Sequence, residues 1–329
     1  MGNLVAKPRK ERKRSSKSPS ATVSAINNKH NKNNICNNKG SYRFINGRKY
    51  FDIDGSAYAL PVDDEECDRL QIQHFLFRHV WQENFSSPVK QMLENGCRVL
   101  DVGCGPGTWL LDMAAEYSQS RFIGFDMIAT FPSEIMPHNI SFIQANLLDG
   151  LPFKDNEFDF VYMQNCSVCF TEAQWKEKVI PEMMRVTKKD GWVEFMEIAP
   201  EVINMPTKLK PLHDAFINHG RLNNLNFEIT NHLDNYLRTC SSDRLTELHK
   251  ETCKLLYYEK MDSTDSINMA GRISKEIFIS FYHAISPMLM PTLGVTQKEY
   301  DEIVDSISEE LEKNKSFNNL HRYYARKGC

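Results

Sequence analysis

The sequence has no apolar run approaching the ~18 residues that a membrane-crossing helix needs, and no short apolar stretch of signal-peptide type at its start. A soluble intracellular chain, cytoplasmic or nuclear, is the expectation. Internal repeats are missing as well. The nine cysteines are odd in number and scattered without framework spacing, which fits reduced thiols better than disulfides. Cys166 and Cys169 form the only close pair; no second pair and no histidines stand at zinc spacing, so no metal is expected. Acidic residues are nearly missing from the first forty positions, where Glu11 faces ten Lys or Arg. The whole chain carries −3, so the body from residue 41 holds about −12. An acidic body speaks against a nucleic-acid groove on the folded part, because phosphate binding is dominated by Lys and Arg. The dinucleotide fingerprint G-x-G-x-x-G is also absent.

What is present is a different glycine spacing. Val99, Leu100 and Asp101 lead into Gly103, Gly105 and Gly107 at alternate positions, and a periodic apolar segment starts at Trp109. The pattern predicts a strand, a tight loop and a helix. Glycine serves where backbone turns sharply and a ligand lies against it, and a loop at a helix N-terminus cradles a nucleoside-containing ligand. About twenty residues on, Arg121 to Asp126 is a second apolar run ending in an acid, placed to grip a ribose diol.

Asp101-x-Gly103-x-Gly105-x-Gly107 resembles motif I of the class I S-adenosylmethionine-dependent methyltransferases. Tyr58, Leu60, Pro61, Asp63, Glu66, Arg69 and His74, together with Trp109, are similar to the LaeA-like group of these enzymes; the similarity covers residues 42 to 200 well and the rest loosely. The resemblance implies an α/β, Rossmann-like fold: a seven-stranded, mostly parallel sheet with helices on both faces, an N-terminal capping helix and helical lid insertions. It implies S-adenosyl-L-methionine as cofactor, bound by Asp101, Gly103, Cys104, Gly105, Gly107, Asp126, Met127, Asn146, Leu147 and Gln164. Asn146 stands where a polar side chain meets the adenine amino group. Tyr58, Arg69 and His74 become candidates for lining the pocket, and Asn165, Cys166 and Ser167 for touching substrate or the methionine part of the cofactor. No Asn-Pro-Pro-Tyr or Asp-Pro-Pro-Tyr follows the fourth strand, so amino-directed DNA methylation is unsupported.

The expected organisation is a disordered basic tail over 1–40, an N-terminal cap over 41–96, a cofactor-binding core over 97–200, and a substrate lid with the last strands over 201–329. The tail is too poor in apolar residues to offset its ordering entropy. Lys7 to Arg14 reads as a nuclear-import segment, Met1 to Ala6 followed by seven basic residues reads equally as a myristoyl-plus-polybasic membrane anchor, with Ala6 where Ser or Thr is preferred, and a solvated tail with no address is the third reading. Within the body, Asn46-Gly47 predicts a hairpin turn, and Asp63 with Glu66 a reciprocal helix cap. A helix from Thr171 is expected to stop at Lys188 to Gly191, helical structure to continue to about Lys250, and the last two strands to be Leu255 to Glu259 and Leu320 to Arg326. Amphipathic helices are expected around Ile273 to Ile285 and Lys298 to Leu311.

The function expected is methyl transfer to a small molecule or a protein side chain. A methyltransferase-like regulatory module that binds cofactor and a partner protein with little turnover is the alternative; a nucleic-acid methyltransferase guided by the tail ranks last. Methyl transfer from a sulfonium needs orientation more than acid–base help. His74, His213 and His219 stand as possible bases, and the sequence gives none of them a partner, so no catalytic residue is assigned.

Overall fold

The computed structural model describes residues 41–52, 58–240, 244–259 and 265–328; the tail of residues 1–40 and the expectations placed on it lie outside them. The described chain opens with a hairpin of β1 (Ser41–Ile45) and β2 (Arg48–Asp52). Asn46 and Gly47 close it at φ 50° and 82°, the left-handed pair that a two-residue turn requires. Asp63 then caps α1 (Asp64–Trp81), accepting from the Glu66 amide at 3.1 Å. Glu66 does not return the bond. Its carboxylate is buried and takes the Arg69 guanidinium at 2.9 and 2.6 Å, while Arg69 also donates to Gln73 at 2.7 Å. The reciprocal cap is corrected for a physical reason: a carboxylate out of water needs a cation more than a second amide.

After α2 (Lys90–Asn95) comes the parallel core: β3 (Arg98–Val102), α3 (Thr108–Glu116), β4 (Arg121–Asp126), β5 (Ile140–Gln144) and β6 (Phe158–Gln164). Beyond β6 the helix expected from Thr171 is broken into α4 (Glu172–Gln174), a π-helical turn over Trp175–Val179, and α5 (Ile180–Val186). It ends before the Lys188–Gly191 stop, because Thr187 turns its hydroxyl back onto the Met183 carbonyl at 2.7 Å and β7 (Thr187–Ile203) begins at once. The left-handed residue is Asp190, at φ 61°. Gly191 serves a different need: a Cβ there would lie 2.9 Å from the Asp159 carbonyl of β6.

The second half holds α6 (Lys210–Leu222), α7 (Leu233–Cys240), β8 (Leu245–Leu256), α8 (Asp265–Ala284), α9 (Ser286–Leu293), α10 (Gln297–Lys313) and β9 (Phe317–Lys327). Two expectations change here. The stretch to Lys250 is not helical throughout, since β8 starts at Leu245 and ends before Tyr257. The last strand starts three residues earlier than expected, at Phe317.

The strands form a sheet in the order β5-β4-β3-β6-β7-β9-β8. All neighbours from β5 to β7 are parallel; β9 runs antiparallel between β7 and β8. One apolar cluster joins α1, α3, α6 and α8 to α10 on one face, and the other joins the π turn, α5 and α7 on the opposite face. The doubly wound sheet expected from the sequence is therefore present, with its loop ends gathered beyond the carboxyl ends of β3, β4 and β6.

Candidate active site

The loop between β3 and α3 is built from backbone. Gly103, Gly105 and Gly107 sit at φ 76°, 52° and 75°. Crowding differs among them. A Cβ on Gly103 would meet the Cys166 sulfur at 2.8 Å and one on Gly107 the Phe142 ring at 2.7 Å, whereas one on Gly105 would meet nothing closer than Leu70 at 4.0 Å. Gly105 faces open space, so glycine there keeps a cavity clear.

Asp126, at the end of β4, ties this loop down: Oδ2 accepts from the Gly105 amide and Oδ1 from the Ile128 amide, both at 2.8 Å. Burial pushes its carboxyl up, and these amides pull it back. Asp101 lies deeper, 1 % exposed, and its Oδ1 has no hydrogen-bond partner among the described residues. Burial, with the Asp126 charge nearby, holds its pKa well above the ordinary carboxylate range. Trp109 stacks on Tyr162 at 4.2 Å between ring centres and donates its indole N–H to the Asn84 carbonyl at 3.0 Å.

These residues surround a cavity of about 210 Å3. Gly103, Cys104, Gly105, Asp126, Met127, Asn146, Leu147 and Gln164 line it, as do Tyr58 and His74 from the N-terminal cap. Asp101 and Gly107 support it from outside the lining. Asn146 caps the short helical turn Leu147–Asp149, so its amide oxygen already accepts from the Leu148 amide at 3.0 Å. Gln164 accepts from the Tyr162 hydroxyl at 3.2 Å. Cys166 and Cys169 line the cavity as free thiols, and no cluster able to hold a metal occurs among the described residues.

A second cavity, about 160 Å3, adjoins the first and shares Leu60, Leu70, Gln73, Phe77 and Asn165 with it. Arg69 and Ser167 face this one instead, together with His213 and the aromatic rings of α6 and α8. Glu197 of β7 also lines it. It is 1 % exposed, and its carboxylate accepts from the Cys166 amide at 2.8 Å and the Ser167 amide at 3.3 Å. Burial raises its pKa to about 7 against these amide bonds. Sequence reasoning passed over Glu197, although a charged residue inside the apolar strand Trp192 to Ile198 was a usable signal.

The three histidines separate. His74 is buried, with Nε2 3.1 Å from Asp112 Oδ2, an oxygen that also accepts from Asn84 at 2.9 Å. His213 lines the second cavity, and burial lowers its pKa below the ordinary value. His219 lines neither cavity and sits 3.1 Å from the Asn223 amide nitrogen.

The strand order β5-β4-β3-β6-β7-β9-β8, with β9 antiparallel, and the acid–glycine loop at the end of β3 agree with the methyltransferase fold expected from the sequence. Residues 99–191 match the family model described as a methyltransferase domain. The chain is similar to the secondary metabolism regulator LAE1 of Cochliobolus heterostrophus, 27% identical over 157 residues that make up 47% of this chain and 50% of that protein. It is also similar to the LAE1 regulator of Pyricularia oryzae, 38% identical over 104 residues, 31% of each chain. Among solved structures, Haemonchus contortus phosphoethanolamine N-methyltransferase 2 with S-adenosylhomocysteine is similar at 16% identity and a TM-score of 0.43, covering 79% of this chain and 58% of that one. The chain thus spans half or less of the length of these two regulators.

Proposed function

We propose that the chain is an S-adenosylmethionine-dependent methyltransferase, with cofactor in the first cavity and methyl acceptor in the second. The observation that carries this reading is the shared wall between the cavities. Methyl transfer needs nucleophile, methyl carbon and sulfur in one line, and holding reactants so can supply roughly 7–11 kcal/mol. Two adjoining cavities that share Asn165, Gln73 and Leu70 in their linings would set the two reactants side by side.

The residues of the first cavity fit the cofactor. Gly105 leaves bare backbone for the methionine part, Asp126 lies at the cavity with oxygens able to accept from a ribose diol, and Asn146 and Leu147 bound the adenine end. When bound, the cofactor supplies a methyl on a positively charged sulfonium, an excellent leaving group. The chain's own part is to exclude water behind α1, to hold the loop through Asp126, and to present Asn165 where the two cavities meet. Cys104 and Met127 close the floor by contact.

Calorimetric titration with S-adenosylmethionine and S-adenosylhomocysteine tests the reading. Micromolar binding that Gly105→Arg abolishes supports it; a folded chain that binds neither would remove it. We propose that Gly2, once acylated, and the basic run beside it hold the chain at anionic membrane surfaces; salt-sensitive sedimentation with phosphatidylserine vesicles is the check.

A further inference from the structure

The second cavity has a chemical character that the transfer step alone does not dictate. Its outer wall is aromatic. Phe216 stacks on Phe227 at 4.6 Å and meets Phe281 edge-on at 5.7 Å, while Tyr257, Phe278 and Tyr282 continue the surface with centroid separations of 4.6 and 5.0 Å. Its inner wall carries acceptors. Asn165 lines both cavities, and its Oδ1 is buried with no hydrogen-bond partner among the described residues. Its backbone is left-handed, φ 54°, and its amide is fixed to the Met196 carbonyl at 2.9 Å, so the side chain's place at the junction is set by β7. Glu197, the residue after Met196 on β7, adds a carboxylate that accepts from the next two amides of the loop, those of Cys166 and Ser167.

Positive charge is largely committed. Arg69 is the only lysine or arginine among the described residues lining this cavity; Glu66 and Gln73 take three of its five N–H donors, and the buried Glu66 carboxylate balances its charge. An acceptor bearing a carboxylate or phosphate would find Glu197 and a cation whose charge Glu66 already balances. Leaving such an anion unpaired in a buried cavity costs several kcal/mol or more.

Resting on the cofactor assignment above, we propose that the second cavity receives a small hydrophobic amine and that Asn165 orients its N–H so that the nitrogen faces the first cavity. The amine enters as the free base. Its nitrogen lone pair attacks the methyl carbon, the carbon–sulfur bond breaks with its electron pair left on sulfur, and the products are an N-methylammonium and a neutral thioether. No proton changes hands in the step, so no catalytic base is required. What the step needs is stabilisation of the positive charge that moves from sulfur to nitrogen. The aromatic faces attract a cation through their quadrupoles, and Glu197, in its ionised form, adds a negative charge beside it.

The test uses the full chain loaded with S-adenosylhomocysteine and ligand-observed NMR. Three fragment sets of matched size serve as probes: arylalkyl and alicyclic amines such as tetrahydroisoquinoline, the corresponding carboxylates, and the corresponding phenols and alcohols. Hits are then offered with methyl-labelled S-adenosylmethionine. The expected result is that amines dominate the hits and are N-methylated. Ile277→Trp, which fills the cavity from α8, should weaken amine binding at least tenfold while S-adenosylhomocysteine affinity stays within twofold. Asn165→Gly, which keeps the left-handed backbone, should lower kcat about tenfold or more with a smaller change in KM. Hits concentrated among carboxylates or alcohols, amine binding indifferent to Ile277→Trp, label appearing only on peptides, or silence from all three sets would each overturn the proposal. Failure of S-adenosylhomocysteine to bind would overturn the cofactor assignment instead, and calorimetry before the screen separates the two.

Discussion

The two cavities are made from different materials. The first is shaped by main chain: three left-handed glycines, the amides held by Asp126, and a short turn capped by Asn146. The second is shaped by side chains that arrive from the loop after β6 and from β7, α1, α6, β8, α8 and β9, elements far apart in the chain. A backbone cradle tolerates almost no change at its glycines and is indifferent to most of its neighbours. A side-chain cavity tolerates changes of outline and loses stability or selectivity in proportion to the volume removed. One half of the site is therefore fixed to a single ligand, and the other is open to divergence.

The largest effect that would sharpen this contrast falls on the side-chain half. Phe216→Ala removes a buried ring stacked on Phe227, and about 3–5 kcal/mol of unfolding free energy should go with it. Affinity for S-adenosylmethionine should stay within twofold; denaturant melts beside calorimetry check both. A cofactor affinity that collapsed together with stability would show that the two halves are not independent.

Glu197 stands at the seam and gives a pH signature. Its folded pKa is about 7 against the usual 4.5, so the folded state favours the protonated acid. The unfolded chain releases this proton first as pH rises, and stability from this group is lost between about pH 4.5 and 7. Unfolding free energies of Glu197→Gln and wild type, compared at pH 5 and pH 8, should diverge by roughly 2–3 kcal/mol in favour of the variant as pH rises. A pH-independent difference would mean that the carboxyl titrates normally.

On the backbone half, Gly105→Arg should abolish cofactor binding by more than about 100-fold, or ~2.7 kcal/mol. An arginine would enter the open space ahead of the loop and hold an unfavourable φ of 52°. Retained micromolar affinity would remove Gly105 from the cradle. The smallest effect expected is at the entrance to α1. Asp63 is held at a pKa of about 2: burial works against the charge, but the Arg48 guanidinium and the Lys49 and Glu66 amides prevail. Asp63→Ala should cost about 1 kcal/mol above pH 5 and progressively less as pH falls through 4 toward 2, where the wild-type carboxyl is itself protonated. A loss that persisted unchanged at pH 2 would mean that the cap acts without its charge.

The same contrast governs what could be read without coordinates. Glycines in forced conformations and an acid at a strand end leave fixed spacings, so the loop, Asp126 and the strand–helix alternation through β7 were legible from residue types alone. The second cavity leaves no spacing, because its residues run from Leu60 to Asn318 and each looks like ordinary core. Glu66 illustrates the limit: three positions after Asp63 it fits a helix cap, and only the fold shows Arg69 claiming its carboxylate. β8 was hidden for a related reason. As an edge strand it is mostly exposed along its middle, so its polar sequence carries no apolar alternation to set it apart from a surface helix.

The place of β9 bears on how the molecule is made. β8 has no sheet neighbour among the described residues except β9, and β9 in turn completes the flank of β7. During synthesis β8 leaves the ribosome while its only partner is still unmade, and at about 5–20 residues per second it waits for seconds. The wall of the second cavity contributed by Asn318 is missing for the same interval. The parallel core can gather as its strands emerge, but the second cavity closes last, leaving a nascent chain with an unpaired strand edge and uncovered aromatic rings.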